Sequence, residues 1–506
     1  MFFYLLLALF LLIISCIIYL VFLVQYYHIF FKRQGIATLP LSSYLYGHFT
    51  ILWNAERFSE QLCQWTKQYG SIYGLVAGTR PVYIVSDVSF LQEVFITQFS
   101  KFQGRHVPLL THILGQDRLH VFASSGDQWR RHRRILVSAF SSVKLQKMSS
   151  KIDECVKTFV HLSNNGDINI FPRLKQFTLD VICRCAFDVE TEVQGNSSNI
   201  WLQKVMEIFV RDFDRTPLAM LNRFMPGFGR FWAFLFHIFR TVGLITTPAN
   251  LWIIENAKDL VNERLLQSRK QENDDNCKDV LQLLIKAAAD PEKAQLSLKE
   301  LLSHVFVIMV SGFDSPSTVL AYCLHTLANR IDLQEKLYKE ILINSHSNEN
   351  TVDDLSKHDL SKYIYLDAFI NEVLRMNPTA VQFVNRQCTQ DTEVQGYKIP
   401  KGSLVQTDVY TIHYDSTLWG PLPTDEFHLE RHMTKRHPLA LLAFGAGPRQ
   451  CLGLRFAFVE LKLFLIEMIH NFHIEPSEQN NQSMKKKEEL TISPEQVWIK
   501  LSKRSN

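Results

Sequence analysis

Phe444-Gly445-Ala446-Gly447-Pro448-Arg449-Gln450-Cys451-Leu452-Gly453 sets one cysteine inside a glycine-rich loop, two residues after an arginine. The apolar run that follows, residues 454–469, reads as a helix with Cys451 at its start. A thiolate gains twice in that place. A helix N-terminus presents unpaired N–H groups and the positive end of the dipole, and the arginine adds positive charge. Gly445, Gly447 and Gly453 carry no Cβ, so the backbone can approach something flat and bulky. A buried anionic sulfur beside a cation is the means by which a protein holds haem iron through one electron-donating ligand. A structural cysteine in a turn is the plainer alternative.

The whole spacing Phe-x-x-Gly-x-Arg-x-Cys-x-Gly fixes five positions, and a chance match in a chain this long is on the order of one in ten thousand. The stretch resembles the haem-thiolate loop of the cytochrome P-450 superfamily. The resemblance implies haem b with its iron on the Cys451 thiolate, Phe444, Gly447 and Gly453 around the cofactor, and Arg449 toward a haem propionate.

Working outward, further motifs stand in the order that this family keeps. Glu372 and Arg375 lie three apart on an expected helix, 362–376, so their side chains can meet on one face. A surface pair of this kind is worth little. The family's Glu-x-x-Arg motif stands about 75 residues before its cysteine loop, and a second arginine joins it. The matching segment here is Phe427-His428-Leu429-Glu430-Arg431-His432, with leucine and histidine where proline and phenylalanine are usual. Glu372, Arg375 and Arg431 are therefore expected as a buried structural network.

Trp129-Arg130-Arg131-His132-Arg133-Arg134 opens another expected helix. A run of this kind can simply be solvated, but Trp129 and Arg133 match the family's Trp-x-x-x-Arg propionate clamp. Arg105 and Arg386 are further propionate candidates by the same comparison. The remaining bases are free for water or for the acidic surface of an electron donor. A long apolar helix, 301–327, carries Ser311-Gly312-Phe313-Asp314-Ser315-Pro316-Ser317. Its plain reading is a helix kinked at Pro316. In the family the corresponding acid and hydroxyl relay protons, which assigns Asp314 and Ser315 as catalytic candidates. Serine stands there where threonine is usual, and Pro316 is unusual.

The bulk numbers agree with a cofactor protein of an apolar ligand. The chain has 506 residues, a net charge of +4 and 36 phenylalanines; the length suffices for a large core, and the mild charge gives no pull toward nucleic acid. Nine cysteines, Cys16, Cys63, Cys155, Cys183, Cys185, Cys277, Cys323, Cys388 and Cys451, are odd in number and scattered. They outline neither a disulfide framework nor a zinc site and suggest a reducing compartment.

Residues 2–24 contain no charge, and Lys32-Arg33 follow the aromatic Tyr26-Tyr27 and Phe30-Phe31. This predicts an uncleaved transmembrane helix with the bulk of the protein on the cytosolic side. A signal peptide is the alternative, and the missing basic leader argues against it. Residues 34–47 read as a short hinge. Residues 71–85 alternate and break at Gly78, which predicts a hairpin. Helical periodicity dominates 129–377, and strands return at 391–405. In residues 224–239, Phe224, Phe228, Phe231, Trp232, Phe234, Phe236 and Phe239 mix with Arg230, a composition that suits a membrane interface or an aromatic core.

The expected fold is thus mainly α with a small β region, the cytochrome P-450 fold, preceded by one N-terminal transmembrane helix. The division is an anchor over 1–31, a hinge over 32–48 and a haem-thiolate catalytic domain over 49–506. The resemblance implies a monooxygenase of the endoplasmic reticulum membrane, close to the animal drug- and steroid-oxidising branch, that oxidises a steroid, fatty acid or xenobiotic. Electrons would come from NADPH through a separate flavoprotein reductase, with a cytochrome b-type protein as a further donor, because the chain has no dinucleotide loop of its own. Substrate would meet residues 106–119, the aromatic stretch, 306–313 and 380–384. The rival readings are a haem-thiolate isomerase of lipid peroxides of the thromboxane-synthase kind and a non-catalytic membrane haem binder.

Overall fold

The computed structural model describes residues 2–48, 51, 57–105, 120–210, 229–244, 249–270, 279–289, 296–344, 359–480 and 484–504. Within these, helices dominate and a small β region flanks them. The longest helix of the interior, Leu298–Asn329, begins at a capping box. The Ser297 hydroxyl accepts the Glu300 N–H at 3.3 Å and the Glu300 carboxylate accepts the Ser297 N–H at 2.8 Å, which satisfies two donors that a helix start leaves orphaned. Leu301, Val305, Leu320, Leu324 and Leu327 are fully buried along it, each worth roughly 1.5–3 kcal/mol relative to exposure.

This core helix crosses Ile170–Phe187 at very short range. A Cβ at Gly312 would lie 2.6 Å from Ile182 Cδ1, so a side chain there would force the two helices apart. The Thr178 hydroxyl seals the crossing by donating to the Phe313 carbonyl at 2.7 Å. Pro316 sits inside the helix and removes the N–H that the Gly312 carbonyl would otherwise accept.

The predicted hairpin is present as Ile72–Ala77 paired antiparallel with Arg80–Val85, with Leu75 opposite Val82. Gly78, at φ +61°, supplies the left-handed turn residue. Ala37–Thr38 joins one edge, and Leu404–Thr407 with Asn385–Gln387 extends the other into a five-stranded sheet. Both faces are covered. Tyr73, Leu75, Val82 and Ile84 pack with Leu62 and Trp65, while Val76, Tyr83 and Val85 pack with Phe31, Phe90 and Phe95. Both faces of the alternating strands therefore end in apolar packing, Leu75 and Ile84 on one side and Val76 and Val85 on the other.

Among the described residues, two helices are long and apolar enough to cross a membrane, and the second of them is the buried core helix just described. The first, Phe2–Arg33, has 32 residues and so a length of roughly 48 Å at ~1.5 Å per residue, well beyond a ~30 Å hydrocarbon core. Its surplus end packs on the sheet. Phe31 is fully buried and its ring occupies the space a side chain at Gly74 would need, with a Cβ there only 2.4 Å from Phe31 Cγ. Tyr83 meets the same ring edge-on at 5.0 Å. Residues 32–48, expected as a hinge, instead hold the helix end, the edge strand and the buried His48, because Phe31 and Ile36 find apolar partners on the sheet.

Candidate functional site

The cysteine loop is built from two backbone turns. Gly445 N–H donates to the Leu442 carbonyl at 2.8 Å and Cys451 N–H donates to the Phe444 carbonyl at 2.9 Å. The helix begins at Leu454 with Gly453 at its cap, so Cys451 stands before the first turn, with the Gly453 N–H serving its sulfur. The thiolate expected from charge and dipole is not favoured by the protein alone. Burial pushes the Cys451 thiol up, against the opposing pull of the Gly453 N–H, Arg133 and Arg105. A coordinated metal ion would reverse this balance, since it deprotonates a thiol outright. The side chain is nonetheless solvent-accessible. Closely surrounded and yet accessible, the sulfur faces an enclosed space.

The three loop glycines divide. Gly447, at φ +70°, would place a Cβ 2.2 Å from the Phe95 carbonyl oxygen, so a protein neighbour, not a cofactor, excludes a side chain there. At Gly445 and Gly453 a Cβ would meet nothing within 4 Å, which leaves room beside the loop. Phe444 packs on Phe458 of the following helix, with ring centroids 5.8 Å apart.

Four guanidinium groups surround this loop. Arg386 is buried and donates to the Asn385 and Ala446 carbonyls at 2.7 and 2.9 Å. Arg105 donates to the Arg449 carbonyl at 3.2 Å, and Arg133 donates to the Gln450 carbonyl at 2.7 Å. Arg449 reaches the Phe122 carbonyl at 3.2 Å and lies 4.8 Å over the Trp129 ring. Arg105 lies 4.5 Å over Phe122, which meets Phe383 edge-on.

Among the described residues, Arg105, Arg133 and Arg386 have no carboxylate partner, and the buried Nε atoms of Arg105 and Arg386 have no acceptor. Burial pushes Arg105 down to about 10 and Arg386 well below the arginine range, and each repels its neighbouring cation. Burying such charges without counter-ions costs several kcal/mol each. The donor set therefore fits a ligand with anionic groups beside Cys451, as haem propionates are.

On the core helix Asp314 and Ser315 point apart. Asp314 is buried, accepts a hydrogen bond from the Thr491 hydroxyl, and has Lys175 Nζ 3.7 Å from its other oxygen. Burial pushes its carboxyl up, with Lys175 and Thr491 pulling it down. Ser315 belongs to a stripe with Val307, Val310 and Ser311 that stays accessible in the mostly buried middle of the helix. Their spacing of three and four residues places them on one face. Phe306 and Phe313 are buried on the flanks.

Glu372, Arg375 and Arg431 meet away from the surface, all fully buried. Glu372 binds Arg375 through both oxygens at 2.7 and 2.8 Å and has Arg431 Nε at 3.3 Å. His432 lies 2.8 Å from the same carboxylate. Burial alone would raise Glu372; the bonds from Arg375 and His432 outweigh it and hold the carboxyl down to about 2. Arg375 also donates to the His413 and Thr424 carbonyls, and Arg431 to the Leu422 carbonyl.

Sequence reasoning missed Lys175, Thr491, His413 and His432. The first two lie far along the chain from Asp314, with no local pattern to mark them. His432 was visible only as a departure from the usual phenylalanine. Of the expected substrate contacts, residues 106–119 and the start of the aromatic stretch, including Phe224 and Phe228, lie outside the described residues. The rest of that stretch forms Gly229–Thr241, with Phe231, Phe234 and Ile238 exposed and Phe236 buried.

Comparison with known proteins agrees with this geometry. The chain is 30% identical over 473 residues to cytochrome P-450 CYP13A2 of Caenorhabditis elegans, covering 88% of each chain. It is 30% identical over 477 residues to CYP13A5 of the same organism, covering 88% of this chain and 89% of that protein. Against CYP13A1 the identity is 28% over 511 residues, 94% of this chain and 95% of the relative. The family model described as Cytochrome P-450 matches residues 39–501, and the chain accordingly belongs to the cytochrome P-450 family, whose members carry haem with its iron on a cysteine thiolate.

Proposed function

We propose that this haem-thiolate monooxygenase oxidises a lipophilic small molecule, a steroid, fatty acid or xenobiotic, with electrons drawn from NADPH through a separate flavoprotein reductase and a cytochrome b-type protein as a further donor. The membership in the family supports the monooxygenase class. The observation that carries the site assignment is the set of cations that have no carboxylate partner among the described residues, Arg105, Arg133 and Arg386, beside the accessible Cys451. Cys451 would hold the iron. Arg105, Arg133, Arg386 and Arg449 would hold the propionates, with Trp129 packed under Arg449. Bound haem supplies the reduction of dioxygen, one atom entering the substrate and the other leaving as water.

The chain's own residues would then manage substrate and protons. The accessible stripe of Val307, Val310, Ser311 and Ser315 would line the substrate's side of the core helix, and residues 380–384 would add further contacts. Ser315, on that stripe, would hold water, and the buried Asp314 would pass protons to it. Burial pushes that carboxyl up, toward the protonated form a relay acid needs, and Lys175 and Thr491 pull it back. Glu372, Arg375 and Arg431 would be structural. The catalytic region, 49–506, would face the cytosol at the endoplasmic reticulum membrane, held by the anchor helix and touched by Phe231, Phe234 and Ile238, which share one exposed face.

Reconstitution of the full chain with a reductase and NADPH tests this reading. Product from at least one steroid, fatty acid or xenobiotic supports it. Asp314→Asn should lower NADPH-driven turnover about 10²–10⁴-fold, the usual worth of a positioned acid. Undiminished turnover of a lipid peroxide by that variant, with no NADPH-driven product from either protein, would establish the isomerase reading instead.

A further inference from the structure

The segment that leads into the cysteine loop is tied to the Glu372–Arg375 pair by one side chain that the mechanism does not use. His413 is fully buried. Its Nδ1 lies 2.9 Å from the Arg375 carbonyl oxygen, and the Leu442 N–H donates to its Nε2 at 2.8 Å. A carbonyl only accepts and an amide only donates, so the ring is neutral with its proton on Nδ1. The tie to Arg375 is reciprocal, since the Arg375 guanidinium donates to the His413 carbonyl at 2.9 Å.

Each partner depends on the ring. Arg375 lies in the last turn of Ile364–Met376, where helix carbonyls have no intrahelical amide left. Leu442 is fully buried, and its N–H has no other acceptor among the described residues. The Leu442 carbonyl in turn takes the Gly445 N–H, and the Phe444 carbonyl takes the Cys451 N–H. A continuous line of bonds therefore runs from Glu372 through Arg375 and His413 to the backbone that frames Cys451.

Two other buried histidines bridge backbones in the same way. His48 spans the Leu39 carbonyl and the Val76 N–H at 2.9 Å each, and His304 spans the Glu300 carbonyl and the Val121 N–H at 2.7 and 3.2 Å. His413 differs in where its bridge ends, two residues before Phe444.

We propose that His413 is a positioning residue, which holds the Cys451 loop in register with the buried Glu372–Arg375 pair and thereby sets the sulfur against the haem. The proposal rests on the haem-thiolate reading. Groups that orient a ligand from behind tune the metal as well as the ligand. Burial pushes the ring down to about 3, so it keeps its neutral tautomer throughout the pH range of the tests.

Three substitutions in the full-length holoprotein separate the bonds. His413→Phe removes both. His413→Asn can reach only the Arg375 carbonyl, and His413→Gln places an acceptor near the Nε2 position and can keep the Leu442 N–H satisfied. His48→Gln, at a bridge in the sheet, is the control for loss of a histidine bridge as such. Amide hydrogen exchange over residues 442–451 should accelerate about tenfold or more in His413→Phe and His413→Asn, and the haem midpoint potential should shift. His413→Gln should restore both toward wild type, and His48→Gln should move neither while lowering the melting temperature.

Exchange over 442–451 and a midpoint potential that stay at wild type in His413→Asn, with the melting temperature lowered as in His48→Gln, would overturn the proposal. Should His413→Phe fail to fold, the Asn and Gln pair carries the comparison. A wild-type protein whose haem lacks the spectrum of sulfur ligation would overturn the underlying reading, and the exchange measurement would still report on the bridge by itself.

Discussion

At the residue scale, Glu372 shows how burial changes the worth of an ion pair. Its carboxylate sits with Arg375, Arg431 and His432, and neither it nor the two arginines is exposed. Removing one member leaves the rest as uncompensated buried charge, which costs about 3–5 kcal/mol. Glu372→Ala should lose that much stability in chemical denaturation, whereas a change under ~0.5 kcal/mol would mean the pair behaves like a surface one. The three main members were legible because a fixed spacing and a resemblance picked them out. His432 was not, since a histidine carries no signal of its partner until the fold brings position 372 to it. The same holds for Lys175 and Thr491 around Asp314, which no periodicity links to the core helix. Gly447 was read as leaving room for the cofactor, but the group a side chain there would meet is the Phe95 carbonyl, from a distant segment.

At the element scale, period and punctuation carried most of the reading. The core helix, the helix after Cys451 and the hairpin around Gly78 all lie where apolar spacing and a glycine turn put them. Helix ends shifted by two or three residues, because caps such as Ser297 with Glu300 decide them locally. The stretch 32–48 was less legible. Its glycine and proline suggest a linker, but only the fold shows that Gly74 opens a space for Phe31. Gly74→Val should evict that ring and loosen the junction. Limited proteolysis in membranes should then cut residues 34–48 several-fold faster than in wild type, and an unchanged rate would mean that the packed helix end does not protect the segment.

At the scale of the whole molecule, buried histidines set the acid limit. Burial pushes His120 down to about 4, and His304 and His413 down to about 3, from an ordinary 6.5. The folded protein keeps them neutral while the unfolded chain protonates them, so the unfolded state binds more protons below pH 6.5. Stability is then complete above that value and falls as pH drops through it toward 3. Three such groups give a slope approaching ~4 kcal/mol per pH unit. The depressed Glu372 acts in the same direction at lower pH: its contribution is present above its ordinary 4.5 and is lost as pH falls toward 2. Melting temperatures from pH 7 to 4.5 should therefore fall steeply with uptake of about three protons, and a flat profile would show these rings protonated or exposed in the native state.

The central assignment is the bond between Cys451 and haem iron. The most direct test is the absorption spectrum of the reduced, carbon monoxide-bound protein beside that of Cys451→Ser. The strongly red-shifted band of a thiolate-ligated haem should appear in the wild type and vanish in the variant. Its absence from the wild type, or its persistence in Cys451→Ser, would contradict the assignment.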